Sequence, residues 1–143
     1  MVGGGRGDRH PRDPFHRIDI RRSSRDVRNE LDGHTLAAST RPVLVFETSL
    51  PTRYYLPRDD VRTELLQPSG TTTTCAHKGH ASCWSVDLGA APVKDLVWSY
   101  AQPLADAHEL TGLMAFFDER SDVFVDGQRL ERPDTPWRDR TDA

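Results

Sequence analysis

The feature that most constrains the fold is a series of short β-prone runs separated by turn residues. The runs DVRNEL and HTLAAS, at residues 26–31 and 34–39, flank Asp32-Gly33. This dipeptide favours a two-residue hairpin because both of its positions tolerate positive φ. The run VLVFET at residues 43–48 is almost entirely apolar and predicts a central strand. Other β-prone runs occupy residues 16–21, 53–56, 92–100, 113–117 and 122–126.

Residues 71–86 are the best-defined hairpin candidate and hold many of the reactive side chains. They include both cysteines, two of the six histidines and one of the three tryptophans. A three-residue loop at residues 78–80 would place Cys83 opposite Cys75 on the neighbouring strand. Several reactive groups are therefore expected to meet around this one hairpin.

Only residues 103–110 have a convincing helical pattern. The first of them is a proline, which suits the first position of a helix, and Leu104, Ala107 and Leu110 recur at helical spacing. Residues 62–67 fit a helix or a strand, and we favour a strand because a Pro-Ser-Gly run cuts it short. The sequence thus predicts a mostly-β fold, a small curled sheet, partial barrel or sandwich of about eight short strands with one short helix.

The length and composition predict one domain between two polar tails. A chain of 143 residues has the length of a single domain. Hydrophobic residues make up 36% and charged residues 29%, a balance that indicates polar tails around a compact middle. We expect a disordered tail at residues 1–14, a single mostly-β domain at 15–127 and a charged C-terminal tail at 128–143.

Charge, hydropathy and cysteine count argue against several classes of protein. The formal net charge of -3 argues against general nucleic-acid binding. No apolar run approaches the roughly 18 residues of a membrane span, and the start of the chain lacks the apolar segment of a signal peptide. Two cysteines do not make a disulfide scaffold, so we expect a cytoplasmic protein with reduced thiols. Nothing in the sequence specifies an oligomeric state.

A metal site is the first chemical hypothesis. Cys75, His77, His80 and Cys83 follow one another in the pattern Cys-x-His-x2-His-x2-Cys, and zinc takes such donor sets tetrahedrally. Strand geometry would let Cys75, His77 and Cys83 converge, while His80 would sit in the turn. The spacing lacks the paired Cys-x-x-Cys of most zinc sites, so we predict no metal and no cofactor. Zinc held by those three residues remains the alternative.

A reactive thiol and an anion pocket are the next hypotheses. Positive neighbours lower the pKa of a thiol, so Cys75 beside Lys78 is a candidate nucleophile. The alternative is an inert, buried cysteine. Lys78, with Arg53 and Arg58 around the two tyrosines, could hold the carboxylate or phosphate of an anionic small molecule.

Aromatic and acidic residues supply the remaining candidates. Tyr55, Trp84 and Trp98 could line a small-ligand pocket, although core packing is the usual role of such side chains. The acidic set of Glu47, Asp59 and Asp60 could carry out acid–base chemistry. For the Asp-Asp pair, turn and capping chemistry is the more common role.

Six motifs, taken in order, resemble a known family. They are RPVLVFET at residues 41–48, RYYLPRDDV at 53–61, CAHKG at 75–79, WSV at 84–86, WSY at 98–100 and AFF at 115–117. Together they resemble the bacterial domain of unknown function 427 over about residues 15–127. The resemblance implies a small, tent-like or barrel-like mostly-β fold. Some members of the family carry a nucleotidyltransferase label, and the resemblance implies no established reaction.

The resemblance also bears on the site. The family pattern has an aromatic residue where this chain has Cys83, and Pro-Tyr where it has Ala76-His77. Of the metal-like residues, only Cys75 belongs to the family motif, which favours Cys75, Lys78, Tyr55 and Trp84 as a shared site.

We therefore predict a small-ligand-binding or enzymatic module. Cys75 and Lys78 are its candidate catalytic residues, and Lys78 would hold an anionic group. The candidate ligand-binding residues are Tyr55, Arg58, Trp84 and Trp98. The competing hypothesis is a non-catalytic scaffold or partner-binding domain.

Overall fold

The protein is mostly β, as the sequence predicts, and it contains two antiparallel sheets. A computed structural model describes residues 9–10 and 13–139, with side chains described from residue 16 onward. The strands in chain order are β1 (Arg9–His10), β2 (Asp13–Arg22), β3 (Val27–Leu31), β4 (His34–Ser39), β5 (Val43–Glu47), β6 (Arg53–Leu56), β7 (Leu66–Cys75), β8 (Gly79–Val86), β9 (Val93–Ser99), β10 (Met114–Phe116), β11 (Asp122–Val125) and β12 (Gln128–Arg129). Short 3₁₀ helices occupy Arg58–Asp60, Thr63–Leu65, Ala105–Leu110 and Pro136–Arg138.

The larger sheet has eight strands in the order β1-β2-β5-β6-β10-β9-β8-β7, and the smaller has four in the order β12-β11-β3-β4. In the larger sheet β6 pairs with β10, where Tyr55 lies opposite Ala115. We call this pairing the seam, because it joins the half built from β1, β2, β5 and β6 to the half built from β7 to β10.

The larger sheet curls strongly. Glu47 ends β5 and Lys78 lies in the turn between β7 and β8, and four strand-to-strand steps separate β5 from β8. In a flat sheet these steps would span roughly 19 Å at about 4.8 Å each. The two side chains nevertheless form a direct ion pair. The predicted curled sheet is therefore confirmed, and it does not close into a barrel.

Two Asp-Gly turns shape the smaller sheet. Asp32 and Gly33 have φ values of 50° and 80° between β3 and β4, as the sequence predicts. Asp126 and Gly127 have φ values of 51° and 84° between β11 and β12. Both are the positive-φ pairs that two-residue hairpins require. The second turn has the same Asp-Gly dipeptide as the first, and it lies where we predicted the end of the domain.

The predicted tails fall partly outside the described residues. Most of residues 1–14 and the last residues, 140–143, lie outside them. Within the described part, β1 and the start of β2 lie in the predicted N-terminal tail, and β12 and Pro136–Arg138 lie in the predicted C-terminal tail. The domain limits themselves remain predictions.

The central hairpin turns at a different place from the predicted loop at residues 78–80. The turn is at residues 76–78, Cys75 pairs with Gly79, and Thr72 pairs with Ser82. Cys83 therefore does not lie opposite Cys75. Gly79 has a φ of 113°, and a Cβ there would lie 3.3 Å from the backbone nitrogen of Leu104. Glycine is thus required at the first position of β8, where the chain around residue 104 approaches closely.

Two local predictions need correction. The predicted helix at 103–110 is a 3₁₀ helix at Ala105–Leu110, and it buries Ala107 and Leu110 but leaves Leu104 48% exposed. Residues 62–67 do not form one strand, because Thr63–Leu65 is helical and β7 begins at Leu66. This strand continues through Pro68 with a bulge, which is possible because it lies at the edge of the sheet.

One hydrophobic core joins both sheets. It includes Val27 and Leu36 from the smaller sheet and Tyr55, Leu96 and Met114 from the larger sheet. In the described residues no helix is long and apolar enough to cross a membrane.

Candidate functional site

A cavity of about 180 Å³ lies on one face of the curled larger sheet. It is lined by Val45, Glu47, Leu50, Pro51, Arg53, Tyr55, Thr73, Thr74, Cys75, Lys78, Cys83, Trp98, Tyr100, Phe117 and Trp137. Most of these residues follow the two-residue period of strands, which puts alternate side chains on the same face. The curl brings the wall from β5 and β6 to face the wall from β7, so the cavity is a consequence of the sheet's curvature.

Four of the predicted site residues meet at this cavity, namely Tyr55, Cys75, Lys78 and Trp98. Two others, Trp84 and Arg58, do not line it. Trp84 follows Cys83 on β8, so the alternation that turns Cys83 towards the cavity turns Trp84 to the opposite face. There Trp84 contacts Arg58, whose guanidinium carbon lies 5.4 Å from its ring centroid.

Lys78 and Glu47 form a buried ion pair on the cavity wall. Their side chains are 8% and 7% exposed, and the ammonium of Lys78 donates to Glu47 Oε1. The other carboxylate oxygen of Glu47 lies 2.8 Å from Nε2 of His16, and the His16 ring stacks on His77 with centroids 4.1 Å apart. These contacts fix the hairpin turn to β5 and β2.

The ion pair keeps both partners charged. Burial alone would raise the pKa of Glu47, but Lys78 and His16 outweigh it and the pKa is lowered. Burial alone would lower the pKa of Lys78, but the nearby groups that can become anionic, Tyr55 and Glu47 first, outweigh it and the pKa is raised. Lys78 is therefore an ammonium at neutral pH, suited to holding an anion and unsuited to acting as a base.

A second buried ion pair joins Arg53 to Glu119. The guanidinium donates through Nη1 and Nη2 to the two oxygens of Glu119, both at 2.7 Å. The Glu119 side chain has no exposed surface, whereas Arg53 is 10% exposed and lines the cavity. The guanidinium carbon also lies within 5.4–5.9 Å of the ring centroids of Trp98, Phe117 and Trp137. Arg53 is thus a fixed cation in an aromatic wall.

Two tyrosines add polar groups to the aromatic wall. The hydroxyl of Tyr55 accepts a hydrogen bond of 3.0 Å from Nε1 of Trp98, and the two rings meet edge to face. Burial raises the pKa of both Tyr55 and Tyr100, so each remains a neutral phenol at physiological pH. The wall therefore combines apolar ring faces with hydroxyl groups.

The two cysteines are free and differ in environment. Cys75 is partly exposed, while Cys83 is 3% exposed. Burial, and next the nearby Asp95, raise the pKa of Cys83 to about 11. Cys83 is therefore a thiol at neutral pH and a poor nucleophile, and Cys75 is the better candidate for reaction.

Thiol labelling is expected to distinguish them. At pH 8 only about one in a thousand Cys83 side chains would be the reactive thiolate, so a small disulfide reagent should label Cys83→Ser rapidly and Cys75→Ser slowly. The measurement is the rate of thiolate release from the reagent, with protein unfolded in urea as the control. Rapid labelling of folded Cys75→Ser would contradict the burial of Cys83.

The zinc alternative receives no support from the geometry. Within the described residues, no group of three or more His, Cys, Asp or Glu side chains could hold a metal ion. Cys75, His77 and Cys83 do not form such a set, since the turn at 76–78 turns His77 onto His16. The predicted convergence depended on a loop at 78–80, which the structure corrects.

Several site residues did not follow from the sequence. The sequence pattern groups Glu47 with Asp59 and Asp60, but Asp60 instead accepts a hydrogen bond from Ser39. Glu119 lies in a predicted turn, where no local pattern indicates its partner. The two-residue period of strands is the one sequence signal that could have added residues to the predicted site. It places Tyr100 on the same face as Trp98, and Thr73 on the same face as Cys75, and both line the cavity.

Comparison with protein families identifies the family that the chain matches. A family model described as Domain of unknown function (DUF427) matches residues 19–127, which is more than half of the chain. The match contains every cavity-lining residue except Trp137. No curated protein matches the chain.

Proposed function

The chain belongs to the domain of unknown function 427 family, and from this premise we propose that it binds a small, ring-sized molecule bearing an anionic group. The observation that carries the proposal is the aromatic cavity with Arg53 and Lys78 in its wall. The two free cysteines suit the cytoplasm as its location.

The size of the cavity supports a ligand with one ring. A cavity of about 150 Å³ lined by aliphatic and aromatic side chains is enough to hold benzene. The cavity here measures about 180 Å³, and Tyr55, Trp98 and Phe117 are among the residues that line it. Aromatic faces favour stacked or edge-to-face contact with another ring.

The charges of the wall support an anionic group. The charged side chains in the lining are Glu47, Arg53 and Lys78. Glu119, which neutralises Arg53, has no exposed surface with which to contact a ligand. Arg53 therefore presents its guanidinium to the cavity without its partner carboxylate beside it on the wall, and a guanidinium can bind a carboxylate through several N–H groups.

A reaction at Cys75 is the second candidate function. The thiol is partly exposed and lines the same cavity as Lys78. The thiolate is the nucleophilic form of cysteine. In this role Lys78 would stabilise an anion, and Cys75 would supply the reactive group.

Probe binding tests the main proposal. We expect benzoate to bind more tightly than benzyl alcohol, and benzyl alcohol more tightly than benzylammonium, because the wall favours an anion. Thr73→Phe should fill the cavity and weaken benzoate binding by about tenfold or more, which is the effect of losing roughly 1.4 kcal/mol. Titrations followed by ligand-observed NMR give the dissociation constants.

A matched control lies next to the test residue. Thr72 is exposed and does not line the cavity, so Thr72→Phe should leave benzoate binding unchanged. The proposal fails if no probe binds the wild-type protein, or if both phenylalanine variants weaken binding equally. A scaffold without a ligand site would give the first of these results.

A further inference from the structure

We propose that residues 135–138, here called the strap, form a wall of the cavity and that Trp137 restricts it to ligands with a single ring. The inference rests on the proposed function and names the residue that would set its specificity. The strap contains the 3₁₀ helix Pro136–Arg138 and lies outside the residues matched by the family model.

The strap is attached to the cavity wall by polar contacts. The hydroxyl of Thr135 donates to Glu119 Oε2 at 2.5 Å. Nε of Arg120 donates to the backbone carbonyl of Trp137 at 3.2 Å. The Thr135 hydroxyl also accepts from the backbone nitrogen of Trp137 at 3.2 Å, which begins the 3₁₀ helix. These contacts anchor the strap to the loop that follows β10.

The same carboxylate serves the strap and the cavity. Glu119 accepts two hydrogen bonds from Arg53 and one from Thr135. Because Arg53 lines the cavity, the strap is fixed to the cation that we assign to anion binding. The position of the wall is therefore coupled to the position of that cation.

Trp137 itself provides the wall. Its side chain lines the cavity, packs against the hydrophobic core and lies with its ring centroid 5.9 Å from the guanidinium carbon of Arg53. The indole of Trp137 is a large, rigid group, so its removal in Trp137→Ala would enlarge the cavity. A ligand with two fused rings should then fit where only one ring fitted.

The test compares benzoate with 2-naphthoate. In the wild-type protein benzoate should bind more tightly than 2-naphthoate. Trp137→Ala should shift the ratio of the two dissociation constants towards 2-naphthoate by about tenfold or more, as expected when a steric wall is removed. Trp137→Phe should give an intermediate ratio. Titrations followed by ligand-observed NMR supply both constants.

Trp84→Ala is the matched control, because Trp84 is also partly buried but lies outside the cavity. It should leave the ratio unchanged even if it destabilises the protein. If benzoate binds but Trp137→Ala leaves the ratio unchanged, the strap is not the specificity wall and the proposed function stands. If neither probe binds the wild-type protein, the proposed function and this inference are both overturned.

Discussion

Arg53→Met is expected to lower the free energy of unfolding by about 3–5 kcal/mol, the usual effect of removing one partner of a buried ion pair. Arg53 makes two hydrogen bonds of 2.7 Å to Glu119, whose side chain has no exposed surface. Without the guanidinium, the Glu119 carboxylate would remain buried with only Thr135 as a donor among the contacts described above. Urea unfolding followed by circular dichroism measures the loss.

An exposed ion pair provides the comparison. Arg62 and Glu64 are 53% and 62% exposed, so Arg62→Met should change stability by less than about 1 kcal/mol. The double variant Arg53→Met/Glu119→Met should recover much of the lost stability, because it leaves no buried charge. Equal effects of Arg53→Met and Arg62→Met would show that the buried pair has no special role.

Asp118→Asn is expected to stabilise the protein at pH 8 and to have little effect near pH 4. Burial raises the pKa of Asp118 from 3.8 to about 7. The nearby Arg53 lowers this pKa and only partly offsets the effect of burial, while the nearby Glu119 raises it further. Between pH 3.8 and about pH 7, Asp118 keeps its proton in the folded protein but has released it in the unfolded chain. Stability therefore falls as pH rises through this window, and the cost is fully present above pH 7.

The amide introduced by Asp118→Asn would carry no charge at any of these pH values and would avoid this cost. The gain should grow by at most about 1.4 kcal/mol per pH unit and level off near pH 7. Unfolding in urea from pH 4 to pH 8 measures it, with Asp134→Asn as the control because Asp134 is 81% exposed. A gain that is the same at pH 4 and pH 8 would show that Asp118 does not titrate in this way.

Local sequence signals predicted most of the fold. Alternating apolar residues and the Asp32-Gly33 turn act over a few residues, so their effect can be read directly from the chain. The errors arose where distant contacts override a local signal. Pro68 normally ends a strand, but β7 lies at a sheet edge and tolerates it. The hairpin turn depends on the approach of residue 104 to Gly79, which no local pattern shows.

The candidate site was less predictable for the same reason. Tyr55 and Trp98 are aromatic residues in predicted strands, so both could be nominated from the sequence. The partnership of Arg53 with Glu119 joins residues 66 positions apart, and that of Lys78 with Glu47 joins residues 31 positions apart. Such pairs depend on the curl of the sheet. We predicted that Trp84 binds the ligand, but it is the neighbouring Cys83 that lines the cavity. Choosing correctly between them requires knowing which face of β8 turns towards the cavity.

The seam between β6 and β10 bears on how the protein folds. The hairpin of β7 and β8 closes a loop of a few residues, whereas the seam joins Tyr55 to Ala115, 60 positions later. Loop-closure entropy increases with loop length, and pairings between distant segments slow folding. Glu47 and Lys78 lie on opposite sides of the seam, so the cavity wall is complete only when the two halves are joined. We infer that each half of the sheet can form before the seam does, and that the cavity appears late in folding.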